Sequence, residues 1–350
     1  MRQVVRVLSI DGGGIRGIIP AKVLIKVEAL IKEYSNDPNA KIGDYFDLIA
    51  GTSTGGVLSA LCLCPDEKGS EHPKYNAEDI LEVYTKHGKQ IFSRSVVAKY
   101  LDYFGLFSPI YQKDYLEKIL KEYLGDCRLT DLTRPCLIPA YDIEHGKAVF
   151  FNKMNVKSGS QQDLFVRDII RATTAAPTYF PIAKLKNKKS ENTFVDGGIL
   201  ANNPALSAFV EATKFPCEPL HQDILILSLG TGAKNRKYSP KDANHWGRLG
   251  WIIPVIDIYG SAASQTVDHQ LKILYQKRNL EHNYLRIEPN LDEFDVDPDL
   301  DNVSDANIKA LQNVGDETAK QYEDQLRIFI KKICQNQTIN SHENLYKKQR

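Results

Sequence analysis

Twice within its first sixty-odd residues the chain runs from a short apolar strand into a glycine-rich turn and directly on into an apolar helix. Val4 to Ile10 is a β-branched run that ends in Asp11-Gly12-Gly13-Gly14-Ile15-Arg16-Gly17, and helical spacing follows from Ile18 to Tyr34. Phe46 to Ala50 is a second short run, followed by Gly51-Thr52-Ser53-Thr54-Gly55-Gly56 and an apolar helix through about Leu63. Runs of this kind read as buried strands, and strand, turn and helix repeated in this order build a parallel α/β sheet.

The rest of the chain fits that plan. Ala77 to Phe92, Tyr111 to Tyr123, Leu164 to Thr174 and Ala205 to Thr213 have helical patterning. Cys136 to Tyr141, Ala148 to Phe151, Thr193 to Val195 and Ile224 to Leu229 read as strands. A long helix is expected from about Ile256 to Leu280, and a largely helical stretch, broken near Gly315, from Asp305 to Ile333. Residues 336–350 read as a frayed tail.

Composition excludes several classes. The 350 residues are 42% apolar and 25% charged, with 45 basic and 44 acidic side chains. That is an ordinary globular balance, without the basic excess of a nucleic-acid binder. Arg6 interrupts the first apolar run and glycines follow at once, leaving no room for a signal-peptide core, so a cytoplasmic protein is expected. Cys62, Cys64, Cys127, Cys136, Cys217 and Cys334 have no zinc or disulfide spacing. Asp295, Asp297 and Asp299 alternate as in a calcium loop, but Leu300 and Ala306 stand where that loop needs glycine and glutamate. A solvated loop feeding a helix N-terminus accounts for Asp292 to Asp305.

The first glycine turn follows a strand and opens a helix, so its N–H groups can converge on a phosphate or on a transition-state oxyanion. Gly12-x-Gly14-x-x-Gly17 alone matches the dinucleotide fingerprint, and an oxidoreductase is the alternative reading. Its acidic partner should end the second strand, yet Glu33 lies in the helical stretch and Asp37 in a turn. The second turn reads as the G-x-S-x-G nucleophile elbow in its required strand–turn–helix context, with Gly51 and Gly55 flanking Ser53. Serine needs a base. None of the eight histidines has a catalytic-looking context, although His221 or His245 would serve a triad. Asp196 ends a strand before Gly197-Gly198, where an open sheet places active-site residues, and equally reads as a turn aspartate.

DGGGIRG, GTSTG and DGG, in this order, resemble the three signature blocks of the patatin-like phospholipases. Ala172 to Phe180, Asn202-Asn203-Pro204 and Leu227 to Gly232 resemble supporting blocks, so the likeness spans residues 4 to about 232 and is looser to about 330. The resemblance implies a three-layer α/β/α fold with a mainly parallel central sheet, in one catalytic domain over 1–335 whose 233–335 part is mainly helical and packs on the sheet. It implies Ser53 as nucleophile and Asp196 as base. The oxyanion hole would be Gly12, Gly13 and Gly14, with Arg16, Gly51, Gly55 and Gly197 in support. No metal or cofactor is implied. The implied substrate is a phospholipid or lysophospholipid, met in transient contact with a membrane surface, by a chain able to form oligomers. In length and N-terminal wording the chain is also similar to bacterial members that act in antiphage defence once a cyclic nucleotide activates them.

Physical reasoning adds that Asp196, to serve as base, should titrate above a surface aspartate through partial burial. The aromatic stretch Tyr100 to Tyr115 and the segment Trp246 to Pro254 are candidates for an acyl groove or a bilayer interface, and otherwise for core packing. The lysine-rich stretches Lys184 to Lys189 and Lys234 to Lys241 are candidates for anionic head groups.

Overall fold

The computed structural model describes residues 4–93, 109–186, 191–215, 217, 219, 220, 223–233 and 238–335. In chain order, β1 (Val5–Ile10) leads through the first glycine turn to α1 (Ile18–Ser35), and β2 (Leu48–Gly51) leads through the second to α2 (Thr54–Leu63). Next come α3 (Ala77–Ile91), α4 (Lys113–Leu124), β3 (Cys136–Asp142), β4 (Lys147–Phe151), α5 (Val166–Thr173), β5 (Ala183–Lys186) and β6 (Glu191–Asp196). After them come α6 (Ala205–Ala212), β7 (Ile224–Leu229), α7 (Arg248–Gln276), β8 (Tyr284–Ile287), α8 (Asp305–Gln321) and α9 (Glu323–Gln335).

The strands form one sheet in the order β5-β6-β3-β2-β1-β7-β8, with β4 also paired to β3. The run from β3 to β8 is parallel, whereas β4, β5 and β6 join antiparallel. Successive residues of a strand point to opposite faces, and each face here has its own core. Leu8, Ile10, Ile49 and Leu227 pack with α1, α2, α5 and α8 on one side. Val5, Val7, Leu48, Ala50 and Ile226 pack with α6 and α7 on the other. This is the three-layer α/β/α arrangement, and it explains why the central strands β1, β2 and β7 are almost wholly apolar and buried. Arg6 is one buried exception, and its guanidinium donates to both carboxylate oxygens of Asp47 at 2.9 and 2.8 Å.

Several expectations need correction. The Lys184 stretch enters the sheet as β5, paired with β6, while residues 187–189, with Lys188 and Lys189, lie outside the described residues. The long helix begins at Arg248, so Trp246 to Pro254 mostly forms its first turns, with Pro254 inside. The break after Asp305 falls at Tyr322 rather than Gly315. Gly315 stays helical because α1 crosses there: a methyl group on it would stand 2.5 Å from the Lys22 Cβ. The acidic segment is not simply solvated. The Leu300 carbonyl accepts the Ile15 amide at 2.9 Å, and the Tyr111 hydroxyl donates to Asp301 at 2.5 Å. β8 was not foreseen, and it extends the sheet beyond β7.

Candidate active site

The carboxyl ends of β1, β2, β7 and β8 lie along one edge of the sheet, where an open α/β sheet leaves room for a site. Ile10 lies opposite Gly51, so the two glycine turns leave adjacent strands at the same level. Ser53 follows as the residue before α2, with φ 53° and ψ −118°. A positive φ on a residue with a Cβ is strained and lifts the side chain out of the turn. The turn tolerates only glycine on either side. A methyl group on Gly51 would stand 2.1 Å from the Gly55 carbonyl oxygen, and one on Gly55 2.1 Å from that of Ile10. The Ser53 amide donates to Thr173 Oγ1 at 3.0 Å, and that hydroxyl donates to the Pro139 carbonyl at 2.6 Å.

Asp196 reaches the same spot from the opposite direction. It ends β6, which runs antiparallel to β3, so the carboxyl-edge argument made from sequence does not apply to it. Register does the work instead. Ala50 lies opposite Leu137, so Ser53 comes level with Ala140, the residue that pairs with Asp196. The Ser53 hydroxyl donates to Asp196 Oδ2 at 2.6 Å, and Oδ1 accepts the Gly198 amide at 2.6 Å. Burial raises the Asp196 carboxyl to about 6, against the opposing pull of those two hydrogen bonds. Gly197 fits closely under the strand, where a methyl group would meet the Pro139 carbonyl oxygen at 2.2 Å.

The first glycine turn lies against the serine: a methyl group on Gly12 would be 3.5 Å from Ser53 Cβ. Gly12 itself has no amide to offer, because its N–H donates to the Asn202 carbonyl at 3.0 Å. The Ile15 and Arg16 amides are likewise engaged, with Leu300 and Gly13 carbonyls. Among the described residues, no acceptor is recorded for the Gly13 and Gly14 amides. Gly14 has φ +58°, the left-handed region that favours glycine. Arg16 donates to the Gly232 carbonyl at 3.1 Å.

Among the described residues the alternatives from sequence find no such assembly. Glu33 is on α1 and pairs with Arg327, and β2 ends in the elbow rather than in an acid. His245 is exposed, while His221 lies outside the described residues. His145 does meet a carboxylate, Asp142 at 2.9 Å, but half its side chain is exposed. Among the described residues no group of His, Cys, Asp and Glu could hold a metal ion. Of the aromatic stretch, Tyr111 packs against Phe92 and Phe180 in the core and Tyr115 is exposed, and the residues from Tyr100 to Phe107 lie outside the described residues. Trp251, Val255, Ile258 and Tyr259 on α7 are exposed. Lys234 to Lys237 lie outside the described residues. No helix among the described residues is long and apolar enough to cross a membrane.

Sequence reasoning missed two residues at the site edge. Arg286 on β8 pairs with Asp11 at 2.6 Å, and Glu288 accepts the Gly232 amide at 2.7 Å. The signal was the short apolar alternation Tyr284-Leu285-Arg286-Ile287, too brief to stand out.

Comparison with known proteins identifies the family that this fold resembles. A family model described as patatin-like phospholipase matches residues 8–209. The chain is 34% identical over 371 aligned residues to Patatin-2-Kuras 3 of Solanum tuberosum, which covers 98% of this chain and 93% of that one. It is 36% identical over 313 residues to Patatin-like protein 2 of Oryza sativa subsp. indica, covering 82% of this chain and 76% of that one.

Proposed function

The chain belongs to the patatin-like phospholipase family, lipid acyl hydrolases that act on ester bonds, and from that premise we propose that Ser53 and Asp196 form its catalytic dyad. The observation that carries this reading is the 2.6 Å hydrogen bond from the Ser53 hydroxyl to Asp196, beside two glycine amides with no acceptor among the described residues. A nucleophile and base within hydrogen-bond reach are what activation of a serine requires.

In this mechanism Ser53 Oγ attacks the ester carbonyl carbon as its proton passes to Asp196. The carbonyl oxygen becomes an oxyanion facing the Gly13 and Gly14 amides, donors already fixed before charge develops. Collapse expels the alcohol, which takes the proton back from Asp196, and leaves the acyl group on Ser53. Water then attacks the acyl-enzyme with Asp196 again accepting the proton, and collapse breaks the Ser53 ester bond, returns that proton to Ser53 Oγ and releases the carboxylic acid. An ordinary aspartate at ~3.9 is a weak base at neutral pH. Burial raises Asp196 to about 6, nearer the working range while it remains ionised above that pH.

We read residues 1–335 as one catalytic unit, because β8 pairs with β7 and brings Arg286 to the first glycine turn. The substrate we propose is a phospholipid or lysophospholipid, met by a cytoplasmic enzyme in transient contact with a lipid surface. The test is acyl release from phospholipid vesicles by the wild type, Ser53→Ala and Asp196→Ala. Release that survives Ser53→Ala overturns the mechanism. Full activity in Asp196→Ala, with loss in a histidine variant, replaces the dyad by a triad. Running the assay with and without cyclic dinucleotides separates a constitutive lipase from a nucleotide-activated antiphage effector.

A further inference from the structure

The first glycine turn is gripped from behind by the last strand of the sheet, and we propose that Arg286 is a positioning residue for the oxyanion site, aligning the Gly13 and Gly14 amides through Asp11. The inference rests on the reading of Ser53 and those amides given above.

Ser9 of β1, Ser228 of β7 and Arg286 of β8 stand in register across three neighbouring parallel strands. Residues in register point to the same face of a sheet. Two serines in that row, both fully buried, leave a shallow path in which an arginine can lie flat across β7. Arg286 takes it. One terminal nitrogen donates to Ser228 Oγ at 2.8 Å and to Asp11 Oδ1 at 2.8 Å, and the other donates to Asp11 Oδ2 at 2.6 Å. The second nitrogen also donates to Glu288, whose other carboxylate oxygen accepts the Gly232 amide at 2.7 Å.

The glycine turn is thus held on both flanks by one guanidinium. Asp11 immediately precedes Gly12. On the other flank Thr231, next to Gly232, donates its hydroxyl to the Gly12 carbonyl at 2.8 Å. The fork matters as much as the charge, since a bidentate pair fixes direction where a point charge does not.

Stability alone is a poor account of this arrangement. Replacing a buried ion pair with apolar side chains is often neutral or stabilising. Here both side chains are nearly inaccessible, at 7% and 3% exposure. Arg286 also lies between two carboxylates, Asp11 and Glu288, close behind the place where negative charge would develop. Its positive charge offsets theirs there.

The test uses the full chain, p-nitrophenyl butyrate as a soluble ester, and titration of reactive Ser53 with a phosphonate to count folded sites. Arg286→Met should lower kcat per titrated site about 100-fold with KM within about twofold, the signature of donors moved out of line in the transition state. Arg286→Lys keeps the charge but not the fork, and should recover part of the loss, to about tenfold below wild type. An unchanged kcat per titrated site in Arg286→Met, or a loss carried entirely by KM, overturns the proposal. Should Arg286→Met fail to fold, Arg286→Lys decides, and wild-type kcat there overturns it. Ser53→Ala is assayed alongside. Turnover that survives in it removes the nucleophile reading itself, a result no Arg286 variant can produce.

Discussion

The two glycine turns leave neighbouring strands at the same level, yet they are held in place by very different means. The elbow around Ser53 is held by its own sequence, by β1 beside it and by single hydrogen bonds to Thr173 and Ala201. The Gly55 amide donates to the Thr52 carbonyl at 2.8 Å, the Val57 amide to that of Ser53 at 3.1 Å, and Gly55 lies against Ile10. The first turn depends on the far end of the chain. Asn202 takes the Gly12 amide, Thr231 holds the Gly12 carbonyl, Arg286 grips Asp11, and the Leu300 carbonyl takes the Ile15 amide. The elbow thus closes mostly on near neighbours, with Thr173 and Ala201 as remote holds, whereas on the proposed reading aiming the Gly13 and Gly14 amides at Ser53 draws on contacts that reach to β8 and Leu300. The contrast predicts that damage to the elbow shows first in chemistry, and damage to the remote supports shows in alignment.

The largest effect should come from Ser53. Loss of the hydroxyl in Ser53→Ala or Ser53→Gly should cost ~10⁴–10⁶ in kcat, as for other serine nucleophiles. The two variants should differ in stability. Alanine keeps a Cβ at φ 53°, whereas glycine is at ease there, so Ser53→Gly should be more stable than Ser53→Ala by about 1 kcal/mol. Equal denaturation midpoints would mean that the elbow carries no strain and that the local half of the contrast is wrong.

Next comes the glycine turn. Gly14→Ala puts a Cβ at φ +58° and 2.3 Å from the Leu300 carbonyl oxygen. The turn must shift, and the expected loss is ~10²–10³ in kcat, the usual cost of one oxyanion donor. KM for a soluble ester should move little, because those amides engage charge that develops only in the transition state. A rise in KM at unchanged kcat would instead make the turn a substrate-binding element.

Asp196, which accepts the Ser53 hydroxyl, gives the elbow a pH signature. Its folded value of about 6 lies above the ordinary 3.8, so the folded state holds this proton more tightly than the unfolded chain does. The resulting penalty is absent near pH 4, grows as the pH rises toward 6 and is fully present above it, at roughly 2–3 kcal/mol. Asp196→Asn should therefore unfold at a higher temperature than wild type at pH 8 and lose that advantage at pH 4, while turnover falls ~10²–10⁴. In the wild type, kcat/KM should decline as the pH drops through about 6. A profile flat to pH 4.5 would remove Asp196 as base.

How much of this was legible follows the same division. Strand, turn and helix around Ser53 are contiguous, so pattern reading found the elbow and the serine together. Asp196 was found as a strand end before two glycines, but the reason it meets Ser53 is a pair of strand registers across β3, and one of those strands runs the other way. Register is a tertiary property that no local pattern encodes. Arg286 was invisible for a similar cause. A four-residue strand at the edge of the sheet carries almost no periodic signal, and an arginine in it reads as solvent-facing until Ser9 and Ser228 are seen to make room. Gly12 was grouped with Gly13 and Gly14 as a donor because three glycines look alike in sequence. Only the Asn202 carbonyl separates them.

The smallest effects should come from two threonines, one behind each turn. Thr173 stands behind the elbow with its hydroxyl in the middle of a relay, accepting from the Ser53 amide and donating to the Pro139 carbonyl. Thr231 stands behind the glycine turn and makes one bond, its hydroxyl donating to the Gly12 carbonyl. Both residues are buried. Thr173→Val keeps the shape but leaves a backbone N–H and a carbonyl without the hydroxyl, at a cost of about 1–3 kcal/mol. Thr231→Val removes a single donor from a carbonyl and should cost about 0.5–1.5 kcal/mol. Chemical denaturation of the two variants measures the difference. Kinetics should divide with it: Thr173→Val frees the nucleophile itself and should lower kcat several-fold, while Asp11 still ties the glycine turn to Arg286 in Thr231→Val and kcat should change by less than about twofold. The reverse ranking would mean that the glycine turn, for all its remote supports, is the less secure of the two.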